Sequence, residues 1–322
     1  LRLMRELGWR RLRPKAPPPE EAPRHWFGAH SRQRDAEAIR HHYDVSNDFY
    51  RLVLGPSMTY SCALFAEPTT SLEEAQAAKY ELICRKLALR PGLRVLDVGC
   101  GWGGMVRHAA RHHGVEAVGV TISPSQAERA RELVAEEGLQ DLVEIRLQDY
   151  RDVNDGPYDA ISSIGMFEHV GLSRLATYFE GMYALLPDQG RFLNHAISRP
   201  PSDGPPRIDP NSFVGRYVFP DGELHEIGAV VSAMQEAGFE VRHVESLREH
   251  YARTLRSWVT NLENHWDDAV AEVGPNRARI WRLYMAGSAA GFQAGRIQVH
   301  QSLGVKADAD GGSGMPARPD WD

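Results

Sequence analysis

The chain is short of everything that would place it in a membrane interior, on nucleic acid or in an oxidising compartment. No apolar run approaches the roughly 20 residues that a bilayer-spanning helix needs, so any membrane contact is expected to be peripheral. Positive charge is not in excess: 37 Lys and Arg stand against 43 Asp and Glu, a formal net charge of −6, which removes the electrostatic reason to expect nucleic acid. Cysteine is scarce. Cys62, Cys84 and Cys100 are too few and too unpatterned for a disulfide framework or a zinc site, so no metal is expected and a reducing cytoplasm is the natural compartment. A secretory leader is not legible, because the basic N-terminus runs into prolines where an apolar segment would stand. The chain opens on Leu1 rather than Met, which leaves room for a preceding segment.

What is present is enough apolar material, 42% of 322 residues, for one large domain or two small ones. Residues 1–35 form a basic, proline-rich lead, with Arg2, Arg5, Arg10, Arg11, Arg13 and Lys15 ahead of Pro17-Pro18-Pro19. It is expected to be an extended linker or the remnant of an N-terminal region, and its basic face would suit anionic lipid heads. Residues 36–66 interleave polar and aromatic groups (His41-His42-Tyr43-Asp44, Phe49-Tyr50, Met58-Thr59-Tyr60-Ser61-Cys62) without a strict period. A lid over a site and a set of packing loops are both open readings of that segment.

From residue 71 the order becomes regular. Ser71 with Glu74 makes a capping box ahead of an apolar stripe, which predicts a helix over 71–89. Strands are predicted at 94–98, 116–121, 143–147, 158–164 and 191–197, with helices between them, one starting at Ser123-Pro124. Residues 199–225, rich in Pro, Asp and Gly, read as a long loop. A helix at 227–237, a strand at 239–244, helices at 251–267 and 275–294 and a strand at 296–301 follow. Residues 304–322 have few apolar anchors and are expected to be a disordered tail. Such alternation predicts an α/β fold, a parallel sheet with helices on both faces and ligands at the carboxyl ends of its strands.

The turn after the first of these strands, Asp97-Val98-Gly99-Cys100-Gly101-Trp102-Gly103-Gly104, is built to bring backbone against a polar ligand at a helix N-terminus. Gly99, Gly101 and Gly104 fit a dinucleotide pattern, whereas Gly99, Gly101 and Gly103 fit the looser pattern of S-adenosylmethionine enzymes; a tight turn without ligand is the third reading. A nicotinamide site would want a carboxylate at the end of the second strand, where Val120-Thr121-Ile122 has none. Gln126 is one helical turn on, and Gln148-Asp149-Tyr150 follows the third strand, where Asp149 is placed to accept from an adenine amine or to serve as a turn residue. Glu168 follows one strand and His195 lies on the next, so neighbouring strand ends can bring them close, and a structural role and a site role are both open readings of the pair.

These segments together resemble the cyclopropane fatty acid synthases and the related mycolic acid methyltransferases. The stretches that carry the resemblance are HHYDVSNDFY, MTYSCALF, LDVGCGWGG, VTISPSQ, LQDYRD, IGMFEHVG, LNHAI, Tyr217–Pro220 and REHYARTLRSW, across about residues 40–303. The resemblance implies a Rossmann-like class I methyltransferase fold with a mainly parallel seven-stranded sheet, occupying 36–303 with an N-terminal lid. It implies S-adenosylmethionine held by Tyr60, Ser61, Asp97, Gly99, Cys100, Gly101, Trp102, Gly103, Thr121, Gln126, Gln148, Asp149 and Tyr150. Cys62, Glu168, His195, Ile197 (through its backbone) and Tyr251 match the family's bicarbonate-binding residues.

The implied reaction transfers a methyl group to the cis double bond of a phospholipid acyl chain and closes a cyclopropane ring. A carbocation arises in an apolar pocket, the bound anion stabilises it and removes a proton, and aromatic faces, Tyr43 first among them, add cation–π stabilisation. The same cation would give a methylene or methyl-branched chain, or a hydroxylated one, by other exits. The partners implied are membrane phospholipids met transiently at the inner face of the membrane, with no nucleic acid, and a homodimer is admitted. An NAD-dependent oxidoreductase and a non-catalytic lipid-binding protein are the readings from other classes. The missing ribose acid opposes the first and the intact Glu168–His195–Tyr251 set opposes the second.

Overall fold

Short buried strands, each closed by a turn signal, set the frame. The computed structural model describes residues 18, 20–21, 45–205, 207–220 and 222–321. In it β1 (Arg94–Val98), β2 (Glu116–Thr121), β3 (Val143–Leu147), β4 (Ala160–Ile164) and β5 (Arg191–Arg199) run parallel. With β6 (His225–Glu226), β7 (Glu240–Ser246) and β8 (Gln298–Val305), the sheet has the order β3-β2-β1-β4-β5-β8-β7; β6 pairs with β5 off this path, and β8 is antiparallel to both its neighbours. The expected seven-stranded path is therefore present, with the two-residue β6 as an eighth strand.

Alternation along the strands sorts the core into two faces. Val95 and Ala117 pack with α2 (Leu72–Leu87), α3 (Gly104–His113) and α4 (Pro124–Glu136), while Leu96, Val98, Val118 and Val120 face α5 (Leu175–Ala184) and α7 (Ile227–Glu236). Between them α6 (Phe213–Tyr217) lies inside the segment expected to be all loop, capped by Ser212, whose Oγ accepts from Gly215 N. A third apolar cluster joins α1 (Asn47–Leu54) to α8 (Arg248–Asn264) and α9 (Trp266–Gln293). The predicted helix over 251–267 is broken at His265, and the one expected from 275 continues a helix begun at Trp266, with a non-helical Gly274 just before Pro275. No helix among the described residues is long and apolar enough to cross a membrane.

The tail corrects an expectation. Residues 304 and 305 belong to β8, and the residues after them are tied to the sheet rather than free. Lys306 Nζ donates to Leu186 O (2.8 Å), Arg191 Nη2 to Gly314 O (3.0 Å), and Arg242 Nη1 to Ser313 Oγ (2.6 Å). Met315 and Trp321 supply the apolar anchors that composition alone undervalued. The basic lead lies outside the described residues except for Pro18, Glu20 and Glu21, as does Tyr43.

At Ser71 the predicted capping box is present: Ser71 Oγ accepts from Glu74 N, and the Glu74 carboxylate accepts from Ser71 N at 2.9 Å. Ser71→Ala is expected to lower stability by about 1 kcal/mol, read as a lower denaturation midpoint at unchanged slope in urea.

Candidate active site

The floor of the cleft is the turn between β1 and α3. Gly99 and Cys100 both donate to Val120 O, which closes the turn onto β2. Gly99 has φ +78° and a Cβ there would press into Met166, so neither the backbone nor the packing tolerates a side chain. Gly101, at φ +55°, has nothing within 4 Å of where its Cβ would be, and it lines the cleft, so its lack of a side chain keeps the space over the α3 N-terminus clear. The cleft encloses roughly 1090 Å3 of empty volume, open solvent included. The predicted cofactor residues Tyr60, Ser61, Asp97, Gly99, Cys100, Gly101, Trp102, Thr121, Gln126, Gln148, Asp149 and Tyr150 all line it; Gly103 does not, being turned against Ala130 and Ile145.

Local sequence explains how these groups are aimed. Ser123 caps α4 and Pro124 opens it, which turns Gln126 back over the end of β2, where Thr121 Oγ1 donates to Gln126 Oε1 at 3.0 Å. The end of β2 thus presents an amide and a hydroxyl and no carboxylate. Asp97, buried in β1, accepts from Ser162 Oγ across the β1–β4 pair at 2.7 Å, and burial pushes its carboxyl up to about 6. Asp149 faces the cleft with its carboxylate engaged by Arg151, which donates from Nε at 2.8 Å and Nη2 at 2.6 Å. An adenine amine there would share an occupied acceptor. The open glycine floor, the helix N-terminus and the Thr121–Gln126 amide fit the adenosyl and amino-acid portions of S-adenosylmethionine. They do not fit a nicotinamide dinucleotide, whose ribose would meet no acid.

None of the residues expected to hold an anion, Cys62, Glu168, His195, Ile197 and Tyr251, lines the cleft. Glu168 Oε1 accepts from Ile197 N at 2.7 Å, so that amide positions the glutamate. Glu168 Oε2 and His195 Nε2 are both buried without a hydrogen-bond partner among the described residues. Desolvation pushes Glu168 up to about 7 and, with the charges of Lys79 and Lys86 added, holds His195 well below its usual value and neutral. Cys62 Sγ donates to the carbonyls of Ala63 (3.3 Å) and Leu247 (3.5 Å), and burial raises its thiol far out of thiolate range, so it is a donor and not a nucleophile. Tyr251 lies 4.6 Å from the Phe292 ring and 6.0 Å from Trp258, in the aromatic cluster of Tyr50, Tyr60, Trp102, Trp258, Trp281 and Tyr284. The described part of the 36–66 segment serves both readings offered for it: Tyr60 and Ser61 line the cleft, and Phe49 and Val53 pack in the core.

Three residues were missed. Lys79 and Lys86 sit on the apolar stripe of α2 among Ala75, Leu82, Ile83 and Leu87, and both are 0% exposed. Charged residues on a buried helical stripe were the signal available. Lys79 Nζ donates to Ser61 Oγ at 3.0 Å and lies 3.6 Å from the Tyr80 ring centroid; burial lowers it to about 7. Lys86 is paired with Glu245 and donates to Gln301 Oε1 at 2.6 Å. A lysine ammonium has no acceptor, so the Gln301 oxygen must face it and the Gln301 amide must face His195 Nδ1, 3.2 Å away. Nδ1 therefore accepts, and the ring proton sits on the unpartnered Nε2.

A family model described as mycolic acid cyclopropane synthetase matches residues 30–302. The chain belongs to this family. It is 50% identical over 324 residues to a probable fatty acid methyltransferase of Mycobacterium tuberculosis, covering 99% of this chain and 75% of that one. It is 38% identical over 275 residues to the cyclopropane-fatty-acyl-phospholipid synthase of Escherichia coli, covering 85% and 69%. Among solved structures, a mycolic acid cyclopropane synthase complexed with SAH and CTAB superposes with a TM-score of 0.77 at 35% identity, over 84% of this chain and 97% of that chain. This member of the mycolic acid cyclopropane synthetase family is thus an S-adenosylmethionine-dependent methyltransferase with the class I fold.

Two measurements check the polar core. Nitrogen NMR of the histidine rings is expected to show His195 neutral with its proton on Nε2, and Gln301→Glu, which puts an acceptor opposite Nδ1, to move that proton to Nδ1. A wild-type ring protonated on Nδ1 would contradict the relay. Glu168 binds its proton more tightly folded than unfolded, so it costs stability as pH rises from its ordinary value of 4.5 to about 7, and the cost is constant above that. Glu168→Gln should therefore match wild type near pH 4 in thermal stability and exceed it by about 1–3 kcal/mol at pH 8.

Proposed function

We propose that this enzyme methylates the cis double bond of an unsaturated fatty acyl chain, carried on a membrane phospholipid, and closes a cyclopropane ring with a bound bicarbonate as base. The observation that carries this reading is the pair of buried, unpartnered atoms Glu168 Oε2 and His195 Nε2. Met166 and His169, flanking Glu168 in sequence, line the cofactor cleft, and Ile197, whose amide holds Glu168, packs against the aromatic cluster.

S-adenosylmethionine in the cleft supplies an electrophilic methyl group. The protein's own task is to hold an acyl chain in a dry pocket and manage the charge that methylation leaves on it. Tyr60 faces that cleft, and its ring lies 5.3 Å from Trp258 and 5.9 Å from Trp281, so one aromatic wall adjoins both donor and chain. Aromatic faces stabilise a passing positive charge by about 0.5–2 kcal/mol each. His195 donates from Nε2 to the anion, and Glu168, poised near neutrality, gives or takes a proton at Oε2. Cys62, on turning its thiol from the carbonyls it now meets, and Tyr251 are the further donors of this reading, with Tyr43, outside the described residues, as a further aromatic face. Phospholipid would be met by peripheral contact at the inner membrane face, to which the basic lead is suited. A homodimer remains compatible with this arrangement.

A methyl-branched or methylene product is the second reading, favoured by the name of the relative that shares 50% identity with this chain. Proton NMR of lipid from methyl-labelled reactions separates the two, with far-upfield ring protons expected, and either vinyl protons or a branch-methyl signal without ring protons supporting the alternative. Glu168→Gln and His195→Ala are each expected to lower turnover at least tenfold, about 1.4 kcal/mol in barrier, with little change in cofactor affinity measured by titration. Near-normal turnover in both would remove the anion role.

A further inference from the structure

A cluster outside the cleft matches a metal ion's requirements. On neighbouring turns of α2 and α3, Cys84, His108 and His113 each offer a ligand atom, and these three atoms lie within 4.8 Å of one another. Glu81, one turn before Cys84, has its Oε2 3.0 Å from His113 Nε2 and 3.5 Å from His108 Nε2. Arg85 Nε donates to the other oxygen of that carboxylate at 3.2 Å and holds it in place. The thiol is buried in the α2–α3 core, and the two imidazole side chains are only 14% and 18% exposed.

We infer that Cys84, His108 and His113, with Glu81 beside them, bind one thiophilic divalent cation of the zinc class, which clamps α2 to α3. Zinc takes nitrogen at about 2.0–2.1 Å and thiolate sulfur at about 2.3 Å in tetrahedral geometry, so neighbouring ligand atoms stand about 3.3–3.6 Å apart. The three atoms need to draw together by up to about 1.5 Å, a side-chain adjustment. One thiolate and two imidazoles are the donors that soft-to-borderline ions select over magnesium or calcium, and Glu81 balances the charge. Binding releases the thiol proton to solvent. Sequence spacing did not reveal the set because its members come from two helices with a single cysteine, where zinc motifs are read from pairs.

The site would stiffen the cofactor floor from behind. α3 begins at Gly104 in the glycine turn, and Tyr80, adjacent to Glu81, lines the cleft and abuts the position a Gly104 side chain would take. A cation joining Glu81 and Cys84 to His108 and His113 holds those two cleft elements at a fixed separation without touching the reacting groups.

The test is metal titration of the full chain after chelator treatment, using zinc and cobalt(II) alone. One zinc per chain, a melting temperature raised by at least about 4 °C, and a near-ultraviolet thiolate-to-cobalt charge-transfer band with tetrahedral visible bands are expected. Cys84→Ser should abolish the charge-transfer band, and His113→Gln should weaken zinc binding at least tenfold. Absence of stoichiometric zinc binding overturns the inference, as does a charge-transfer band that survives in Cys84→Ser. Should Cys84→Ser fail to fold, His108→Gln and His113→Gln decide alone: unchanged zinc affinity in both overturns it.

Discussion

The bond from Lys86 to Gln301 is the constraint from which the polar interior follows. A fully buried ammonium is tolerated only where it is paired and hydrogen-bonded, and Lys86 has Glu245 and the Gln301 oxygen for that purpose. Satisfying the lysine orients the glutamine, the glutamine orients His195, and His195 is left with one buried donor to offer. The register of β5 against β8, which pairs His195 with Gln301, makes the relay possible. The orientation of His195 is thus set by the need to satisfy a lysine on a helix outside the sheet.

Charge in this interior is kept low by coupling as well as by burial. Lys79 and Lys86 both disfavour a second positive charge on His195, while Lys79 offsets part of the cost of Asp97 and of Cys62. A neutral imidazole, a glutamate near its midpoint and a thiol that keeps its proton leave this interior with little fixed charge. Removing water from such a set strengthens each hydrogen bond in it and raises the cost of leaving any of them unmade.

The sheet was legible because each strand is a short apolar run closed by a strong turn residue, and β1, β2 and β3 stand where the pattern put them. Much of the cofactor cleft was legible too, since those residues come from strand ends and one glycine turn that sequence shows directly, whereas Tyr60 and Ser61 enter it from the segment before α2. Lys79, Lys86 and Gln301 were not, although two of them interrupt an apolar stripe, because their meaning depends on partners more than 100 residues away in the case of Lys86 and Gln301. The division between α8 and α9 at His265 was also hidden, as no glycine or proline marks it. The tail was misjudged because two apolar side chains and a few arginine contacts suffice to hold a segment that composition describes as loose.

The glycine turn and the aromatic cap are physically one unit. Trp102 belongs to the turn, yet its Nε1 donates to Asn47 Oδ1 on α1 at 2.8 Å and its ring lies 4.8 Å from Tyr50. Tyr50 in turn meets Tyr60 and Trp281, and Tyr60 hydrogen-bonds to Tyr284 at 3.2 Å. Any shift of the floor that receives the methyl donor is carried by packed rings to the wall proposed to receive the acyl chain. Close-packed interiors transmit displacement in this way because they have no slack to absorb it. The chain therefore joins the cofactor floor to the aromatic cap through Trp102, a residue that the cofactor motif explains only in part: the glycines around it shape the turn, and the tryptophan ties that turn to the cap.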